Sequence, residues 1–257
     1  MKRRHLFLAV EVLSPLVVLG AWWAVSAGST DPFFPSLAKI IDQFGQTWLF
    51  SRFDSDVVPS LARMFAGYAI AAGVGIPLGV ALGLARRLHE AVAPLLEFAR
   101  AIPPPALIPF GIVVLGVGDA MKIFIIVAVC VFPIVLNAID GVRSVDPELM
   151  DAGRAYQVGR RDRLVHVVLP ASMPQIFAGL RTALSLALIL MVISEMVAST
   201  NGIGYFVLQS QRTFAITEMW SGILLLGILG YVLNLAFGLV ERRVLRWHRA
   251  ARGVATN

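Results

Sequence analysis

The sequence predicts an all-α integral membrane protein of six transmembrane helices, and three observations lead there. Its 257 residues are 58% apolar and only 15% charged, with a mean hydropathy of +0.78. A soluble domain is typically about 25% charged and about 45–50% apolar. The apolar residues also gather into runs of span length, since a hydrocarbon core of about 30 Å takes about 20 helical residues to cross. Finally, basic residues concentrate in every second connecting segment, as the chain of a multi-pass protein requires. The single cysteine, Cys130, lies in an apolar run, which excludes an intrachain disulfide and a cysteine-based metal cluster. With no linker, low-complexity tract or tandem repeat, one membrane domain accounts for nearly the whole chain.

The first span is read over 6–27, after Lys2, Arg3 and Arg4. Its basic start and small residues at Ser26 and Ala27 resemble a signal peptide. Glu11 and Pro15 interrupt the run, however, and Trp22 and Trp23 suit an interfacial anchor, so it is read as a retained helix. Residues 29–57 form an external loop with an amphipathic piece over 37–49 lying along the interface. The second span, 58–84, carries Gly75, Gly79 and Gly83 at every fourth position, a small-residue face for close helix or subunit packing. A basic turn over 85–90 leads into 91–115, where Pro94, Pro103, Pro104, Pro105 and Pro109 must break or kink the helix. Irregular backbone at membrane depth is tolerated where protein or a water-filled cavity covers it, so 102–109 is a candidate hinge or pathway lining. The fourth span is read over 120–139, the fifth over 173–194 and the sixth over 218–240. A polar stretch over 195–217, with turns at Asn201–Gly202 and Gly204, separates the last two.

Between the fourth and fifth spans lies a polar, arginine-rich island over 146–170, DPELMDAGRAYQVGRRDRLVHVVLP. Asp146 is placed to cap a helix, Pro147 suits its first position and Glu148 favours its positive end. Ala152, Gly153 and Ala155 allow another surface to approach, Gly159 offers a turn, and a second short helix over 162–169 is expected to end at Pro170.

Charge placement gives the orientation. Lys2, Arg3 and Arg4, Arg86 and Arg87, five arginines of the 140–171 segment, and Arg242, Arg243, Arg246, Arg249 and Arg252 all fall on one side. Lys39, Arg52 and Arg212 fall on the other. By the positive-inside rule the first side, with both termini and the island, faces the cytoplasm. The net charge of +6 is therefore a topology signal and not a nucleic-acid footprint.

Enzyme chemistry lacks its residues. There is no GxxxxGK[ST] phosphate loop, no HExxH, no metal-ligand spacing among the four scattered histidines, and no GxSxG elbow. Ionisable residues near the spans, namely Glu11, Arg63, Glu97, Arg100, Lys122 and Arg181, are read as snorkelling or paired, with Glu97 and Arg100 three residues apart on one helix face. Arg181 stands out because Thr182 and Ser185 accompany it.

The island resembles the EAA loop of bacterial ABC importer permeases, through Asp151-Ala152-Gly153 and the closing Leu169-Pro170. The surrounding VDPELMDAGR, HVVLPASMPQIFAGLR, IPPPALIPFGIV and ERRVLRW stretches, from about residue 60 to 249, are similar to the nitrate/sulfonate/taurine/bicarbonate branch. The sequence departs from the pattern at Asp151, where the family has glutamate, at Gly153, where it has alanine, and at Gln157, where it has glycine.

The resemblance implies a type I, MetI-like transmembrane domain with its core over 58–241, the first span within 1–28, a periplasmic loop over 29–57 and a basic cytoplasmic tail over 242–257. It implies a coupling helix that docks on a separate ATPase subunit through Glu148, Leu149, Asp151, Ala152, Gly153, Ala155, Tyr156, Gly159, Arg160, Asp162 and Arg163. It further implies a second permease copy, two ATPases, a periplasmic solute-binding protein, no cofactor on this chain, and a bacterial inner-membrane location. Family solutes are small anions such as sulfonate, taurine, nitrate or bicarbonate. Pathway candidates are Pro104, Pro105, Arg181, Ser185 and Ser194. The competing reading is a stand-alone secondary transporter driven by an ion gradient.

Overall fold

The computed structural model describes residue 17 and residues 20–247. These are mostly helical, with no strand among them. Four helical runs are long and apolar enough to cross a membrane, Phe53–Leu84, Asp119–Arg143, Arg160–Val197 and Ile216–Val244. A bent pair, Arg86–Arg100 with Pro104–Leu115, makes a fifth crossing if counted as one. The expected span over 6–27 lies largely outside the described residues; its end, α1 over 20–26, is helical.

After α1 comes α2, Leu37–Phe44. Its apolar face buries Leu37 and Ile40 against α11, Ile216–Val244, so the amphipathic piece lies on its own chain. Trp220 of α11 reinforces this seam, tilting against Trp22 and donating its indole N–H to the Phe33 carbonyl at 3.1 Å. Trp48, almost wholly buried, packs edge-on to Phe206 and donates to Ser221 Oγ at 3.3 Å.

The core is a three-helix unit of α3, Val58–Leu84, α6, Asp119–Arg143, and α9, Leu169–Val197. In α3 the stripe of small residues begins earlier than the sequence suggested, running through Gly67, Ala71, Gly75, Gly79 and Gly83. A Cβ added at these glycines would lie 2.7 Å from Ile126, 2.9 Å from Ile134, 2.6 Å from the Val135 carbonyl oxygen and 2.7 Å from Val142. The stripe therefore seats α6 of the same chain backbone to backbone, the close approach that small residues permit between membrane helices. Gly179 of α9 does the same toward Asn137 and the Pro133 carbonyl.

The proline run breaks the helix as expected. α4, Arg86–Arg100, gives way to a 3₁₀ turn at Pro104–Ala106 and then α5, Leu107–Leu115, with a bend of 81° between them. The basic turn read over 85–90 is shorter than expected. Ala85 alone separates α3 from α4, and Arg86 and Glu90 lie within α4 as an i,i+4 ion pair. Arg100 pairs with Glu97 at 2.6 Å.

Pro170 does not end the second island helix, contrary to expectation. α8, Arg160–Arg163, runs through a π-type turn at Leu164–Val168 into α9, making one helical run from Arg160 to Val197. The wider turn makes room for the proline ring, which in a regular helix would clash with the carbonyl four residues back.

Candidate functional site

The island folds as a hairpin at the arginine-rich end of the bundle. Its first helix is α7, Pro147–Ala155, started as the sequence indicates: Asp146 Oδ1 accepts from the Glu148 amide at 2.9 Å. Its end is a Schellman closure, with the Val158 amide donating to the Gly153 carbonyl and the Gln157 amide to that of Arg154. The residue in the left-handed region there is Gln157, at φ +55. Gly159, expected to provide the turn, has φ −56 and instead caps α8. The departure from the family's glycine at Gln157 thus leaves the turn in place and puts a side chain where glycine is strain-free.

One side of the hairpin is fastened and the other is bare. Val145 and Val168 are buried with Val80 and Val142 from the ends of α3 and α6, and Met150, Leu164 and Leu169 pack against this cluster. On the bare side Leu149 is 54% and Tyr156 84% exposed. Glu148, Asp151, Ala152, Ala155, Gly159, Arg160 and Asp162 are also exposed. Gly153 has a role inside the hairpin, because Arg163 lays its stem across it and a Cβ there would lie 3.1 Å from Arg163 Cδ. Arg154 pairs with Asp151 at 3.0 Å. Arg160 and Arg161 have no ion pair among the described residues.

At the opposite end of the same core lies a polar cluster that sequence reasoning found only in part. Arg63 of α3, 5% exposed, donates from all three guanidinium nitrogens: Nε to Asp119 at 2.7 Å, Nη1 to Glu195 at 2.9 Å and Nη2 to Asn201 at 2.7 Å. Glu195, fully buried, also accepts from Ser60 Oγ at 2.7 Å and from the Gly204 amide at 3.0 Å. Ser60 in turn accepts from the Ile203 amide, and Asp56 from the Gly202 amide. Lys122 sits 3.6 Å from Asp119. Gly202 adopts φ +113, and a Cβ there would lie 2.5 Å from the Glu195 carboxylate. The chain before α10, Ile203–Arg212, is thereby laid directly on a buried carboxylate. Arg63 and Lys122 were read as snorkelling or paired, and they are paired; Glu195 was missed because it closes an apolar run whose polar continuation reads as loop. The available signal was one buried-span arginine in need of an acid.

The pathway candidates are scattered. Pro104 borders a cavity of about 300 Å³ with Arg100, Pro133 and Leu186, and Pro105 belongs to the same 3₁₀ turn. Arg181 and Ser185, one turn apart on α9, are exposed, and Arg181 donates to Glu241 of α11. Ser194 is buried and donates to the Met191 carbonyl of its own helix at 3.0 Å. Among the described residues no cluster of histidine, cysteine or carboxylate side chains is arranged to hold a metal.

A bundle of span-length apolar helices with a fastened charged hairpin at one end and a largely buried polar joint at the other is the architecture of a multi-pass membrane protein. The model of the family described as binding-protein-dependent transport system inner membrane component matches residues 75–246, and the chain belongs to this family. Similar relatives include a probable ABC transporter permease protein of Brucella abortus, 30% identical over 98% of this chain and 100% of that protein. The taurine transport system permease protein TauC of Escherichia coli is 27% identical over 95% of this chain and 91% of its own length. Among solved structures, the inward-facing MetNI methionine ABC transporter matches with a TM-score of 0.66 and 22% identity, over 74% of this chain and 94% of that one, and shares the fold.

Proposed function

We propose that this chain is the translocating subunit of an ATP-driven importer in a bacterial inner membrane, working as two copies with two separate ATPase subunits and a periplasmic solute-binding protein. The hairpin faces the cytoplasm and is the surface the ATPase engages. The observation that carries this reading is mechanical: the exposed hairpin continues through one helical run, from Arg160 to Val197, to the far end of the core. A push on Tyr156 or Leu149 crosses the hydrogen-bonded turn over 156–159 and is then passed along that run to the buried Glu195 joint. Charge complementarity adds to it, since Arg160 and Arg161 have donors free for an acidic groove. Pairing of two copies is supported by α11, which is barely covered by its own chain. The solute is a small oxyanion such as a sulfonate, supported by permease relatives named for aliphatic sulfonates in Bacillus subtilis, for taurine and for nitrate in Leptolyngbya laminosa.

The test is Asp151→Lys in complexes reconstituted with ATPase and binding protein. The expected outcome is continued ATP hydrolysis with uptake reduced at least about tenfold, while the chain still inserts. Uptake at the unaltered level would remove the coupling assignment. Uptake by this chain alone, in proteoliposomes under an ion gradient and without ATP, would establish the secondary-transporter reading in its place.

A further inference from the structure

One face of α11 departs from the pattern of the other long helices. It is the least covered of them by its own chain, yet its exposed side carries Tyr231 and Asn234 among leucines and valines, with Glu241 and Arg242 further along. Positions 231, 234, 238 and 241 follow helical spacing and share a face. A carboxamide turned to hydrocarbon loses its water partners with no replacement, so polar groups inside a span face protein or a wet cavity. Opposite this face α9 presents Arg181, whose guanidinium donates to Glu241 and lies 5.9 Å from the centre of the Phe237 ring. A cavity of about 370 Å³ opens between them. Gly238 forms part of its wall, and a Cβ there would have only Arg181 Nη2 near it, at 3.6 Å.

We infer that this cavity is a binding site for an oxyanion group, a sulfonate or phosphate, held by Arg181 and Arg242 with Asn234 and Tyr231 as further donors. Two guanidinium groups face one carboxylate, so the cavity carries one unmatched positive charge. Arg242 is exposed and makes no ion pair or hydrogen bond among the described residues. The planar fork of arginine matches the geometry of oxyanions. Glu241 keeps Arg181 extended into the cavity when it is empty and competes with the ligand for it, which favours a site that releases what it binds. The chemistry admits two sources: a solute anion, which rests on the proposed function, and the phosphate of an anionic lipid at the membrane surface.

The experiment measures binding of methanesulfonate and inorganic phosphate to the full chain with its ATPase in phosphatidylcholine nanodiscs, and separately the thermal shift produced by adding phosphatidylglycerol. Arg181→Gln and Arg242→Gln each should weaken the response at least about tenfold, the scale of losing one charge-assisted contact. Gly238→Leu, which fills the cavity and keeps every charge, should do the same. Arg86→Gln, at an exposed pair elsewhere on the chain, should leave it unaltered. A response to the soluble anions supports the site with solute as its source; a response to phosphatidylglycerol alone supports it with the headgroup as its source. No response in either arm, or equal responses in all four variants, overturns it. A complex that hydrolyses ATP and takes up solute but binds no oxyanion here sinks this inference and leaves the importer standing. If no ATPase associates, the importer fails, and the site is still read on the chain alone.

Discussion

The two ends of the three-helix core use the same side chains for opposite purposes. At one end Arg63 is buried against three acceptors, of which Glu195 is wholly enclosed and Asp119 reaches solvent. At the other, Arg154 and Asp151 pair at a similar distance with about two thirds of each side chain exposed. A buried charge network is costly to break and admits essentially one arrangement of its partners, because each lost contact strands a charge away from water. An exposed pair is weakly held and can exchange partners. The difference teaches where the molecule is fixed and where it is free: the joint at Glu195 ties α3, α6, α9 and the chain before α10, whereas the hairpin keeps its charges available.

Breaking the buried end has the largest expected effect. Glu195→Ala leaves Arg63 without its enclosed counter-charge and should lower unfolding stability by about 3–5 kcal/mol. The measurement is thermal or denaturant unfolding in nanodiscs. Replacing both partners, Arg63→Met with Glu195→Gln, should recover part of that loss, and a double variant worse than the sum of its singles would contradict the joint. At the hairpin, Gln157→Gly relieves a left-handed non-glycine residue, a strain of about 1–2 kcal/mol, against a glycine entropy cost of about 0.5–1 kcal/mol. The expected net is a gain of up to about 1.5 kcal/mol, read as slower proteolysis of the hairpin. Arg154→Ala should change stability by less than about 1 kcal/mol; a loss comparable to that of Glu195→Ala would erase the contrast between the two ends.

Much of this arrangement was legible in the sequence, and the exceptions have physical causes. Span lengths, the break at the proline run and the Asp146 cap follow from local rules, because hydropathy, ring geometry and a side-chain oxygen act within a few residues. The partner of the Gly75, Gly79 and Gly83 stripe was not legible, since a small face says only that something comes close, and it is Ile134, Ala138 and Val142 that do so. Pro170 misled because its helix-breaking effect assumes regular i→i−4 bonding, and the Leu164–Val168 turn departs from that. Gly159 misled because Gln157, two residues earlier, takes the positive φ at the Schellman closure. Of the site, the eleven hairpin positions were named from the resemblance. Glu195, Asn234 and Glu241 were not, because their importance lies in residues that pack opposite them from distant parts of the chain.

The central claim is that the exposed hairpin faces the cytoplasm and is covered by the ATPase, and accessibility at Tyr156 tests it most directly. In a Cys130→Ser, Tyr156→Cys variant, a membrane-impermeant maleimide should label inverted vesicles and not intact spheroplasts, and adding the ATPase should protect the new thiol. Labelling from outside in intact spheroplasts would place the hairpin on the wrong face of the membrane and contradict the account.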